Sequence, residues 1–198
     1  MLRVGITGGI GSGKTALTDW LDTQGIVIVD ADLAARIIVE PGQPALAEIA
    51  AQFGPEYLLP DGCLDRTALR KLVFADEAKR WALEAITHPR IRDELKRQMT
   101  EAQSPYVVLS SPLLLESGQS EMVDLSVVVD VPEALQIERT MERDQNDRAL
   151  VEQIMAAQLD RTARINRADI VIDNSGTLDE LHQRGAQLHR TLLARAGA

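Results

Sequence analysis

The sequence predicts an α/β protein built on a parallel β-sheet wrapped by helices, and three observations carry that reading. Short apolar runs rich in valine and isoleucine recur at residues 2–7, 26–29, 106–109, 125–131 and 170–172, the unbroken pattern of strands covered on both faces. Helix-like stretches lie between them, at 14–23, 33–39, 45–53, 66–86, 90–102, 132–144 and 148–166. Strands that alternate with helices form crossover units whose strands run parallel. The third observation is a glycine-rich turn at residues 8–15, set between the first apolar run and the first helix, where α/β sheets bind ligands.

The bulk numbers agree with one folding unit. A chain of 198 residues suffices for one generous core with appended pieces, not for two large domains. Hydrophobic residues at 45% and charged residues at 26% are ordinary for a globular protein. The apolar runs are too short to span a bilayer, and Met1-Leu2-Arg3-Val4 passes straight into strand-like sequence, so a cytoplasmic protein without a cleaved leader is expected. Cys63 is the single cysteine, without neighbours at ligand spacing, and receives no role. A net charge of −9 argues against a nucleic-acid surface, which needs lysine and arginine against phosphates. With 3% aromatic residues, base-stacking platforms are not expected either.

Residues 40–103 contain no strand-like run and separate the second strand from the third by more than one crossover helix requires. They read as a helical insertion suited to an acceptor substrate, leaving 1–39 and 104–198 as the core, with a helical lid at roughly 139–165. Pro41-Gly42 and Pro60-Asp61-Gly62 mark turns, and Pro89 is expected to interrupt the helical run just after His88.

Gly8-Gly9-Ile10-Gly11-Ser12-Gly13-Lys14-Thr15 satisfies G-x-x-x-x-G-K-[ST] in the strand–loop–helix setting that a phosphate-binding P-loop requires. Glycines let successive backbone N–H groups point inward at phosphate oxygens, and the helix N-terminus adds positive potential. Gly9, Ile10, Gly11, Ser12 and Gly13 would cradle ATP, Lys14 would reach its β and γ phosphates, and the Thr15 hydroxyl would bind Mg²⁺.

Asp30-Ala31-Asp32 follows the second strand, at the sheet edge where the loop also emerges. Asp32 is the candidate base for an attacking hydroxyl, while Asp30 is structural or linked to Mg²⁺ through water; either can instead cap the helix that follows. Arg139 and Arg143 stand one turn apart, and Arg161 and Arg164 lie on the next helical stretch, across a joint at Asp144-Gln145-Asn146-Asp147. Like charges at i,i+4 repel unless an anion relieves them, so a lid closing over phosphates and a pair of solvated faces are both open. Arg139 is assigned to catalysis and Arg164 to substrate. After the last strand, Asn174 is placed to hydrogen-bond the adenine edge, although a plain Asn-Ser-Gly turn fits as well.

These segments together resemble the bacterial dephospho-CoA kinases. The resemblance rests on residues 5–15, Val29-Asp30-Ala31-Asp32, Val39-Glu40-Pro41-Gly42, Phe53-Gly54 and Asp61-Gly62-Cys63-Leu64-Asp65-Arg66, then Thr87-His88-Pro89 and Pro112-Leu113-Leu114-Leu115-Glu116. It continues through Arg139-Thr140-Met141-Glu142-Arg143-Asp144, Ala157-Gln158 and residues 168–174. It implies a P-loop kinase fold with an acceptor domain and a lid, and transfer of the ATP γ-phosphate to the ribose 3′-hydroxyl of dephospho-CoA. It further implies Asp32 as base, His88 and Pro89 in the acceptor domain, and Arg139 in the lid near the phosphates. The expected partners are ATP and dephospho-CoA, without nucleic acid or membrane, acting on a monomer or small homo-oligomer. One departure is Ser111, where such kinases often carry an acidic residue before the Pro-Leu-Leu segment. A shikimate-type or nucleotide kinase, and a non-enzymatic ATP-responsive switch, are the competing readings.

Overall fold

The computed structural model describes residues 1–145 and 147–197, so Asn146 in the joint between the two arginine-bearing stretches lies outside the described residues. In chain order the elements are β1 (Leu2–Gly8), α1 (Lys14–Thr23), β2 (Val27–Asp30), α2 (Ala31–Ile37), α3 (Pro44–Phe53), α4 (Arg66–Ala75) and α5 (Glu77–Glu101). They continue as β3 (Tyr106–Ser110), β4 (Leu125–Asp130), α6 (Glu133–Asp144), α7 (Arg148–Ala156), α8 (Arg161–Asn166), β5 (Ile170–Asp173) and α9 (Leu178–Ala196).

The five strands form one parallel sheet in the order β2-β3-β1-β4-β5. β1, β3 and β4 occupy its centre and are apolar almost throughout because both faces are covered. The edge strand β5 exposes Val171 and Asp173. Register sets Ile6 of β1 against Ser110 of β3 and Gly8 against Val129 of β4, so three strand ends open on one rim.

The chain divides into two compact units, Met1–Val29 with Met99–Ala198, and Asp30–Gln98. The core of the first gathers Val4, Ile6, Leu17, Leu21, Tyr106, Val108, Val127 and Val129 with Leu181, Leu188 and Leu192 of α9. Inside it the Tyr106 hydroxyl meets His189 Nδ1 at 2.7 Å, and burial pushes the phenol pKa well above its usual range. The second unit has its own cluster of Ile38, Val39, Ala45, Ile49 and Leu69, flanked by Phe53, Leu72, Leu83 and Ile91.

Four local features depart from the sequence expectations. Pro89 does not break the helix, since α5 runs unbroken from Glu77 to Glu101. A proline removes one helical N–H donor, and the neighbouring turns gain side-chain donors instead: the Thr87 hydroxyl bonds the Leu83 carbonyl at 2.9 Å and Arg90 Nη1 the Ile86 carbonyl at 2.7 Å. The expected helix over 66–86 is interrupted at Asp76, an extended residue (φ −139, ψ 109) that ends α4 before α5 begins. The stretch 148–166 divides into α7 and α8 because Asp160, with non-helical backbone (φ −50, ψ 141), caps α8 by accepting from the Ala163 N–H at 3.1 Å. Finally, α9 was not among the expected helices, although Thr177 and Glu180 form a reciprocal capping box at its start.

Candidate active site

The P-loop is shaped by backbone that only glycine adopts freely. Gly11 (φ 71) and Gly13 (φ 88) are left-handed, and the Ser12 N–H donates to the Gly9 carbonyl at 3.0 Å, closing the turn. Gly9 is needed for a different reason. A Cβ there would stand 2.6 Å from Gln136 Oε1 and 2.7 Å from Arg164 Nη1, so side chains of α6 and α8 reach the loop only because it has none. The Ser12 hydroxyl is buried without a protein partner among the described residues.

Lys14 leaves the loop and sets its Nζ 2.5 Å from Ser110 Oγ at the end of β3. The next residue, Ser111, is buried; its N–H donates to the Ile6 carbonyl at 3.1 Å and its hydroxyl accepts from the Leu113 N–H at 3.2 Å. The end of β3 therefore carries two serines and no carboxylate. Among the described residues no group of three His, Cys, Asp or Glu gathers to hold a metal by itself. Thr15 is exposed in the first turn of α1, where a hydroxyl would suit a cation whose remaining ligands are phosphate oxygens.

The ends of β4 and β5 brace the loop from the other side. The Asn174 N–H donates to the Asp130 carbonyl and its Nδ2 to the Ser12 carbonyl, both at 2.8 Å. The amide expected at an adenine edge is thus turned to the P-loop backbone, and a Cβ on Gly13 would collide with it. Arg139 Nη1 and Nη2 donate to the carbonyls of Asn174 and Gly176 at 2.8 and 3.3 Å. Its guanidinium secures the 174–176 loop instead of pairing with Arg143, which lies at the exposed helix end against Asp144 at 2.7 Å.

The connection from α7 to α8 lies over the loop. Gln158 Oε1 accepts from the Ile10 N–H at 3.0 Å. Arg161 is held by both carboxylate oxygens of Asp130, at 2.9 and 2.6 Å. Arg164, only 5% exposed, donates from Nη2 to the Leu159 carbonyl at 2.6 Å, and Asp160 caps α8 instead of pairing with it. Burial lowers the Arg164 pKa, while the fields of Glu116, Asp130 and Asp160 oppose that shift. Gln136, Gln158, Arg161 and Arg164 line a cleft of about 450 Å³ between α6, α7 and α8.

In the second unit, the Asp30 carboxylate caps α2 by accepting from the N–H groups of Asp32 and Leu33 at 2.8 and 3.0 Å. That leaves the Asp32 carboxylate exposed in the first helical turn. His88 and Pro89 are exposed on α5. The first unit thus brings together residues 9–15, Arg139, Arg164 and Asn174, while Asp32, His88 and Pro89 belong to the second. Residue-by-residue reading missed Ser110, Asp130 and Gln136; each is a polar residue in or beside an apolar run, a signal that exists but does not name a partner.

A parallel α/β sheet with a strand–P-loop–helix turn, a lysine beneath it and arginine-bearing helices over it defines a P-loop small-molecule kinase. The family model for dephospho-CoA kinase matches residues 2–180. The dephospho-CoA kinase of Idiomarina loihiensis is 47% identical over 191 residues, covering 96% of this chain and 95% of that protein. That of Acinetobacter baylyi is 47% identical over 193 residues, covering 98% and 99%. A Thermus thermophilus protein of known crystal structure superposes with a TM-score of 0.85 at 33% identity, covering 96% of each chain. The dephospho-CoA kinase from Campylobacter jejuni shares the fold, with a TM-score of 0.74 at 24% identity and 97% of each chain covered. The chain belongs to the dephospho-CoA kinase family.

Proposed function

We propose that this chain transfers the γ-phosphoryl group of ATP to the ribose 3′-hydroxyl of dephospho-CoA, giving CoA and ADP, with Asp32 as the base. The observation that carries the phosphate half of this reading is Lys14 seated on Ser110 beneath a loop whose glycines hold left-handed backbone. Family membership supports the acceptor.

The ribose oxygen attacks the γ-phosphorus as the bond to the β,γ-bridging oxygen breaks, the hydroxyl proton passes to the Asp32 carboxylate, and ADP leaves. Catalysis of this kind is mostly positioning and charge stabilisation. Backbone N–H groups of residues 9–15 other than those of Ile10 and Ser12, which have protein acceptors, bind the phosphates, and Lys14 moves from Ser110 to the β and γ oxygens. Mg²⁺ entering with ATP would be held by Thr15 and would neutralise phosphate charge. Arg164 supplies a desolvated cation beside Gly9, where burial strengthens its field. Arg139 and Asn174 serve the nucleotide by holding the loop after β5 against the P-loop. His88 and Pro89 contribute to the acceptor surface of residues 40–103. No described helix is long and apolar enough to cross a membrane; we take the protein to act in the cytoplasm, as a monomer or small homo-oligomer.

The test is steady-state turnover of ATP and dephospho-CoA by the wild-type chain and by Asp32→Asn. Turnover of the variant is expected to fall on the order of 10²-fold or more while its ATP affinity survives. Wild-type rates in Asp32→Asn would remove Asp32 as the base.

A further inference from the structure

We propose that Gln158 contacts the transferred phosphoryl group, its side-chain amide nitrogen donating to that group's oxygens while its carbonyl oxygen is fixed on the P-loop. The inference rests on the kinase reading above and adds to it a residue that the reading does not use. A backbone N–H can only donate, so the atom of Gln158 that meets the Ile10 N–H at 3.0 Å must be the amide oxygen. That bond fixes which way the planar amide faces. Its Nε2, with two donor hydrogens, has no protein partner among the described residues. Gln158 lines the same cleft as Arg161 and Arg164, the two cations of α8. Ile10 belongs to the P-loop, so a side chain seated on it lies at the nucleotide's phosphate end. Fixed donors aimed at developing charge are the arrangement that stabilises a transition state. The three groups are held independently, Gln158 by Ile10, Arg161 by Asp130 and Arg164 by Leu159.

Gln158→Glu separates this role from a structural one. A carboxylate accepts from Ile10 N–H at least as well as an amide, so a residue that only closed the lid would tolerate the change. A donor to the phosphoryl group would be replaced by a negative oxygen facing it. We expect kcat with dephospho-CoA to fall about 10²-fold, and ATP affinity, measured calorimetrically, to weaken about tenfold more than ADP affinity, since the repulsion acts on the γ-phosphate. Gln158→Ala, lacking both contacts, should also lose kcat, with a melting temperature close to wild type. Wild-type kcat in Gln158→Glu, or equal weakening of ATP and ADP binding, would overturn the assignment. A wild-type chain that fails to phosphorylate dephospho-CoA would refute the functional reading instead, and the ATP-to-ADP comparison would still decide on Gln158.

Discussion

The two walls of the candidate phosphate site are built in different ways. On one side, residues 8–15 present backbone: left-handed Gly11 and Gly13 leading into the start of α1. On the other, α6, the α7–α8 connection and the loop after β5 present side chains, with Arg139, Gln158 and Asn174 each fixed by a partner far away in sequence and Arg164 held locally by the Leu159 carbonyl. A backbone site is encoded by contiguous residues and tolerates almost no substitution. A side-chain site is assembled from separate elements, and its members can be altered singly with graded effects.

The largest effect is expected at the one cation that the backbone wall itself supplies. Lys14→Met removes the only lysine of the P-loop and leaves Ser110 facing an apolar chain end; turnover should fall on the order of 10³-fold, as read by coupled ADP release. A loss below tenfold would shift the catalytic charge to the arginine wall. Next comes Gly13→Ala, which forces a Cβ into left-handed backbone and onto the Asn174 amide. The conformation alone costs about 1–2 kcal/mol, so both the melting temperature and ATP affinity should drop; an unchanged melt would show that the loop relaxes freely.

A smaller effect should follow from Arg139→Ala. Its guanidinium secures the 174–176 loop through two carbonyls, each such bond contributing about 1–3 kcal/mol. ATP affinity is expected to weaken several-fold more than kcat declines. The reverse pattern, a large kcat loss at unchanged affinity, would move Arg139 from loop brace to direct phosphate contact.

The smallest effect lies away from the site, where β4 meets the start of β5. Hydrogen bonds from the Ser126 hydroxyl and N–H, both at 2.7 Å, hold the Asp169 carboxyl below its ordinary pKa of 3.8. A depressed folded pKa means that ionised Asp169 favours the folded state, fully above the ordinary value and progressively less as pH falls through the lower folded one. Asp169→Asn should therefore lower the melting temperature at pH 7, with the gap to wild type narrowing under acid. A gap constant with pH would mean that shape, not charge, matters at this position.

The same division explains what could be read from sequence. The strand runs and the P-loop were legible because their signals are local: apolar valine and isoleucine over a few residues, and a fixed spacing of glycine, lysine and threonine. The Asp30 cap was legible as one of two alternatives, and the fold decided it through the Asp32 and Leu33 N–H groups. Pro89 misled because a helix break was inferred from one residue, whereas Thr87 and Arg90 satisfy carbonyls around it and Ile86 and Ile91 pack into the core of their unit. Asn174 and Arg139 stood out as polar residues, but their partners, Ser12 and the 174–176 carbonyls, lie 162 and 35 residues away or more. Gln158 figured only as part of a family pattern, since nothing adjacent to it announces Ile10. Distances of that kind are created by the sheet order, which puts β4 beside the P-loop strand, and β5 next to β4, although about 120 residues separate β1 from β4.

The most direct measurement is product formation with purified protein, ATP and Mg²⁺ across dephospho-CoA, AMP, adenosine and shikimate, with ADP release followed and the product mapped by mass and phosphorus NMR. ADP should appear with dephospho-CoA alone, matched one for one by a phosphate on its ribose 3′-hydroxyl. Turnover of shikimate or AMP without turnover of dephospho-CoA would contradict the assigned acceptor.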